Sequence, residues 1–190
     1  MRCKPFDNQE TEIKRSTPSL LLAAALLTAL LATPLAALAQ AAPNDAQIAG
    51  IVVAANSVDI DAGKLAQKTS SNADVKAFAK QMVTDHTGVN KQATALVKKL
   101  KVKPEDSELA GTLKKGGADN IAKLKGLKGK EFDRAYIDQE VTYHETVIGA
   151  LDKTLIPNAQ NAELKETLVK TRPAFVAHLE HARKLHASMK

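Results

Sequence analysis

The chain of 190 residues has no tryptophan, two tyrosines, four phenylalanines and one cysteine. That cysteine, Cys3, lies ahead of the apolar run Leu20 to Leu31 (LLLAAALLTALL), so nothing after the run can form a disulfide, a CxxC centre or a lipid-attached thiol. Stability beyond that point must come from one apolar core. The lysine-rich stretch KKGGADNIAKLKGLKGK, residues 114–130, contains no aromatic residue on which a base could stack, and it reads as a solvated face rather than a nucleic-acid patch. Its partners would be cell-envelope anions. Alternating β-branched runs are missing, as are a glycine-rich phosphate loop and a nucleophile spaced from a base, so catalysis has no positive support.

What is present begins with an N-terminal address. Arg2, Lys4, Lys14 and Arg15 precede the apolar run, and TPLAALAQ follows it, with Ala37-Leu38-Ala39 in the form of a cleavage site. Residues 1–39 therefore read as a secretory signal peptide and residues 40–190 as a single domain, periplasmic or secreted, with outer-membrane association as a further expectation. The competing reading is a retained anchor, because residues 19–38 are barely long enough to cross a bilayer. Net charge over the chain is +6, which favours anionic surroundings only weakly.

Beyond the signal, apolar residues recur at helical period, which predicts an all-α domain. A first helix after Pro43, capped by Asn44 or Asp45, carries Ile48, Val52, Ala55, Asp59, Ala62 and Ala66 on one stripe. A second, from about Ala73 to Lys101, opens on a Ser71/Asp74 capping box and shows Val75, Ala79, Met82, His86, Val89, Ala93, Leu96 and Leu100 before Pro104 ends it. A third begins near Phe132 and carries Phe132, Tyr136, Ile137, Val141, His144, Ile148, Leu151 and Leu155, stopping at the IPN turn. A fourth runs from Asn161 with Leu164, Leu168, Phe175, His178, Leu179, Ala182, Leu185 and Met189 inward and a break or kink at Pro173. Between the second and third lie about thirty Lys- and Gly-rich residues holding at most two short helical pieces. Two short connections and one long one describe a ferritin-like four-helix bundle with a crossover between helices 2 and 3.

One polar residue interrupts each stripe near mid-helix: Asp59, His86, His144 and His178. A polar layer across the bundle centre follows whichever way each helix runs. Three imidazoles and a carboxylate are ligand types for Zn, Cu or Fe. The same layer also fits a structural or interaction module, in which each histidine is hydrogen-bonded and only specifies packing; a metal-dependent oxidoreductase is a third reading. A di-iron carboxylate site is disfavoured, because that chemistry uses Glu-x-x-His pairs and none occurs, although Glu140 and His144 are four apart and can share a face. Asp85 points away from the layer, toward a neighbouring helix or a lysine such as Lys91. His181 and His186 belong to the solvated side of the last helix.

The segments KAFAKQMVTDHTGVN (76–90), GKEFDRAYIDQEVTYHETVI (129–148) and TRPAFVAHLEHARKL (171–185) together resemble a secreted bacterial ferritin-like family catalogued as domain of unknown function 4142. The resemblance implies an exported four-helix bundle, with stress protection among the roles considered and no activity assigned. Its histidine pattern falls on His86, His144 and His178, the three that periodicity also selects. The family often carries Glu near Asp59 or Asp61, so the shorter carboxylate here makes the reach of the first helix the point to test.

Overall fold

The structure, a computed structural model, describes residues 42–189. The expected signal segment and its cleavage site lie outside the described residues. The described part is all-α, a helical bundle with no strand among its residues. None of its helices is long and apolar enough to cross a membrane.

Helix α1 spans Asp45–Thr69 and starts at Asn44, whose side chain accepts from the Gln47 N–H while the Gln47 side chain accepts from the Asn44 N–H. That reciprocal pair satisfies two donors that a helix start leaves open. Helix α2 spans Ala73–Leu100. Its cap is Asn72 rather than the expected Ser71: the Asn72 carboxamide accepts from both Asp74 and Val75 N–H, which a serine one residue earlier does not do. The helix ends at Leu100, four residues before Pro104; the next residue, Lys101, turns left-handed (φ 54°), and the Val102 N–H reaches the Val97 carbonyl.

The connection that follows is not two short pieces but one continuous helix, α3, Glu108–Lys125. Gly111, Gly116 and Gly117 hide it in the sequence. Ala110, Leu113, Gly117, Asn120 and Leu124 form its buried stripe, and a Cβ on Gly117 would stand 2.7 Å from a Val58 methyl of α1. The glycine is therefore a site of close helix approach, where tertiary contact outweighs poor helix propensity. Gly50 of α1 has the same role at the loop before α3: a Cβ there would overlap the Glu105 carbonyl, and Glu105 N–H donates to Ala46 O.

Helix α4, Gly129–Ala150, leads on to the IPN segment, where the helical run ends at Asn158 as expected, although IPN is itself the last helical turn. It passes through a π-helical turn, Leu151–Leu155, into a short α5, Ile156–Asn158. The Ile156 N–H donates to Leu151 O, five residues back, and this wider turn lets the helix run past Pro157. Helix α6, Ala162–Ser188, is capped by Asn161 and runs through Pro173 as one helix; the proline costs one backbone bond, not the element.

Helix α1 packs on α2, α3 and α4, and α6 packs on α4 and α2. At one end, the Asp45 carboxylate accepts from the Gln160 and Asn161 N–H groups, and Lys99 pairs with Glu163 at 2.8 Å. At the other, Arg134 reaches the Met189 carbonyl and His186. Two apolar cores fill the interior. One gathers Ile48, Ile51, Leu96, Val147, Leu151, Leu168 and Phe175; the other gathers Ala66, Phe78, Met82, Leu124, Phe132, Tyr136 and Ile137. Along α1, α2, α4 and α6 the switch from one core to the other falls at or beside Asp59, His86, His144 and His178.

Candidate metal centre

Asn56, Asp59, His86, Glu140, His144 and His178 are all buried, at 3 % exposure or less. The imidazoles form a triangle with ring centroids 5.7 Å (His86 to His144), 5.2 Å (His86 to His178) and 5.5 Å (His144 to His178) apart. One ligand atom from each lies within 4.8 Å of the other two. Asp59, Glu140 and His144 make a second set that meets the same limit. His144 belongs to both.

The proton positions follow from the outer partner of each ring. The His86 Nδ1 is 2.7 Å from Asn56 Oδ1, and the Asn56 amide is oriented by its own Nδ2 donating to Val52 O at 2.8 Å. Nδ1 must therefore donate, which leaves a lone pair on Nε2. His144 Nδ1 donates to the Glu140 carbonyl at 2.9 Å, again leaving Nε2 bare. His178 Nε2 donates to Asp85 Oδ2 at 2.9 Å, leaving Nδ1. Each ring thus has its outer nitrogen protonated and anchored, and its other nitrogen free to accept. This is how metal-binding histidines are oriented.

The free nitrogens, His86 Nε2, His144 Nε2 and His178 Nδ1, are buried without a hydrogen-bond partner, whereas the Asp59 carboxyl and the Tyr136 hydroxyl both approach the Glu140 carboxyl. Asp59 Oδ2 stands 3.3 Å from His86 Nε2, and with burial holding its carboxyl well above the usual carboxylate range it faces that lone pair as an acid rather than an anion. Buried polar atoms normally find partners, and the ring nitrogens and carboxyls gathered here are a donor set that could hold a metal ion. Tyr143 is not one of them, since its hydroxyl donates to Ala55 O at 2.9 Å.

Electrostatics agree with that geometry. Burial, with its neighbouring imidazoles, lowers His86 to about 2, and burial lowers His144 to about 4, so both rings are neutral at physiological pH. His178 is lowered too, by burial against the opposing pull of Asp85. Burial raises Asp59 well above the usual carboxylate range, with Glu140 beside it adding to the shift, and raises Glu140 to about 7. A bound divalent cation would reverse the carboxyl shifts and compensate both charges.

Residues 30–185 match the family model described as domain of unknown function (DUF4142). The chain belongs to the DUF4142 family. No curated protein and no solved structure matches it.

In this DUF4142 domain the four site residues expected from sequence come together. Asp59 reaches the cluster despite its short side chain, whereas Asp61 is exposed and faces Lys64 at 3.9 Å. Sequence reasoning left out Glu140, whose signal was its four-residue spacing from His144, and Asn56, which precedes Asp59 by three residues on the same helix. Of the two expectations for Asp85, a neighbouring helix or a lysine, the structure has the first: it faces α6 and pairs with His178 at 2.9 Å. His181 and His186 are half-buried rather than solvated: the first lies edge-on to Phe78 and contacts Gln81, and the second pairs with Asp138 at 3.0 Å.

The anchoring hydrogen bonds give a direct prediction. Asn56→Ala releases the His86 ring and is expected to weaken divalent-metal affinity about 10–100-fold with little change in helicity. Competition titration against a chromophoric chelator reads it; unchanged affinity would show that the amide does not orient the ring.

Proposed function

We propose that this DUF4142 domain is an exported, ferritin-like four-helix bundle that binds a transition-metal ion of the Zn, Cu or Fe class at the centre of the bundle. His86, His144 and His178 supply the nitrogens, and Asp59, with Glu140 beside it, supplies the charge. The observation that carries this reading is the set of buried ligand atoms on the three rings and two carboxyls. Metal bonds near 2.0–2.1 Å would draw the ring nitrogens to roughly 3.3 Å apart, an inward adjustment within the reach of side-chain rotation. Three histidines and two carboxylates fall short of the four glutamates and two histidines of a di-iron site, which favours metal holding over ferroxidase chemistry. Storage, delivery or stress protection in the cell envelope suits that donor set, with the exposed lysines meeting envelope anions.

The ferritin-like topology has its own support. The contacts of Asp45 with Gln160 and Asn161, and of Lys99 with Glu163, bring the start of α1, the end of α2 and the start of α6 to one end. Those of Arg134 with His186 and Met189 bring the start of α4 and the end of α6 together at the other. Helices α2 and α4 then run the same way, and α3 carries the crossover. Export rests on the basic residues, apolar run and Ala-x-Ala motif of residues 1–39.

Elemental analysis of protein purified without a His-tag tests the metal. Near-stoichiometric metal is expected after loading and less than a tenth of it in His144→Ala; no bound metal at any loading, with a triple His→Leu variant of residues 86, 144 and 178 folding as well as the parent, would leave packing as the function of the layer.

A further inference from the structure

Beside the histidine triangle, in the core that holds Leu151 and Phe175, lies a cavity of about 40 Å³ between α1, α2, α6 and the π-helical turn. Its walls are aliphatic and aromatic, with Val52, Val89, Leu96, Leu151, Leu168 and Phe175 among them. Three polar side chains also border it, but the surface it offers a guest is almost wholly apolar. Asn56 is committed at both ends, to His86 and to Val52 O. The Thr167 hydroxyl donates to Glu163 O and the Thr171 hydroxyl to Thr167 O, both within α6. A water needs roughly 10–15 Å³ and two to four polar partners. The space suffices, but the partners do not, so the cavity is dry.

Size narrows the occupant further. Engineered cavities that take benzene are about 150 Å³, and this one is far smaller, which leaves a molecule of two or three heavy atoms or a single noble-gas atom. Its position is specific. Phe175 and Asn56 line the cavity and also touch the metal centre: the Phe175 ring stands edge-on to His86 at 5.1 Å and 6.0 Å from His144, and Asn56 holds His86. The π-helical turn, a widened segment of a kind that recurs at functional sites, contributes Leu151 and Leu155 to the opposite wall.

We propose that this cavity is a dry binding site for a small apolar molecule, of the size of a diatomic gas, held one side chain away from the metal centre and serving it. The cavity itself stands on its own lining; its service to the metal rests on the metal reading above.

Xenon and nitric oxide separate the two. With xenon pressurised over the full domain without metal, the methyl resonances of Val89, Leu151 and Leu168 are expected to shift saturably, and Ala93→Leu, which fills the cavity from α2, is expected to abolish the shift while leaving metal content unchanged. Absence of any xenon-dependent shift in the parent would overturn the site. In Fe(II)-loaded protein, Ala93→Leu is expected to slow nitric oxide binding at least tenfold in stopped flow; an unchanged rate would overturn the service to the metal. Xenon binding in a protein that takes no metal would sustain the cavity and sink the metal reading, so the two failures are distinguishable.

Discussion

Glu140→Gln is expected to make the metal-free protein more stable at pH 8, by about 1–3 kcal/mol, while weakening its metal affinity by at least tenfold. Glu140 is fully buried, and burial raises its carboxyl from 4.5 to about 7. The folded state therefore holds more protons than the unfolded one between those values, and stability falls as pH rises through that window. The histidines have the opposite sign. His144 falls from 6.5 to about 4 and His86 to about 2, so below pH 6.5 the unfolded chain takes protons that the folded one refuses. Stability then declines as pH drops.

With chelator present, the pH profile of the parent is accordingly a dome whose maximum lies between about 4.5 and 6.5. Glutamine keeps the shape and removes the ionisable group, so the Glu140→Gln profile should lose most of its alkaline slope, the remainder belonging to Asp59. Urea midpoints measured from pH 3 to 9 with chelator read both curves. A destabilised Glu140→Gln protein at pH 8 would mean that the carboxylate is satisfied by groups of the protein itself, and the case for a bound cation would fall with it.

Metal at a thousandfold excess over its dissociation constant is expected to stabilise the domain by about 4 kcal/mol, because binding to the folded state alone contributes RT ln(1 + [L]/Kd). For a domain of this size that corresponds to a rise in Tm of roughly 8–16 °C. His144→Ala should remove the whole rise, since His144 is the residue common to both candidate ligand sets. Lys64→Ala, at an exposed pair remote from the centre, should keep it. Differential scanning calorimetry with and without Zn, Cu and Fe salts decides the matter, and an equal rise in the parent and in His144→Ala would place the bound ion elsewhere.

The two predictions draw on the same tension. Buried ring nitrogens and carboxyls that lack good partners are costly, and an ion bound by either set of three would relieve part of that cost. A domain relieved by a ligand is less stable without it than its core would allow, and Glu140→Gln isolates that difference.

Much of this was legible in the sequence. An inward histidine or aspartate that interrupts an apolar stripe is visible because helical period fixes the direction of a side chain around its own axis. So the all-α class and the choice of Asp59, His86, His144 and His178 needed no coordinates. Helix α3 was missed because three glycines argue locally for a loop, while the contact that outweighs them, Gly117 against Val58, joins residues far apart in the chain. That the chain stays helical through IPN was missed because a π-helical turn has no residue signature.

Whether those four residues form a site is of a different kind. Period says nothing about the height at which two helices meet, about which nitrogen of a ring keeps its proton, or about which carboxylate fills the remaining corner. Those follow from contacts between residues remote in sequence: Asn56 with His86, Asp85 with His178, Asp59 facing Glu140. The sequence by itself determined the four long helices that carry Asp59, His86, His144 and His178 and the inward direction of those residues, because both are properties of single elements. Only the tertiary structure decided that the free nitrogens converge beside two buried carboxyls, because convergence is a relation between elements that no one helix contains.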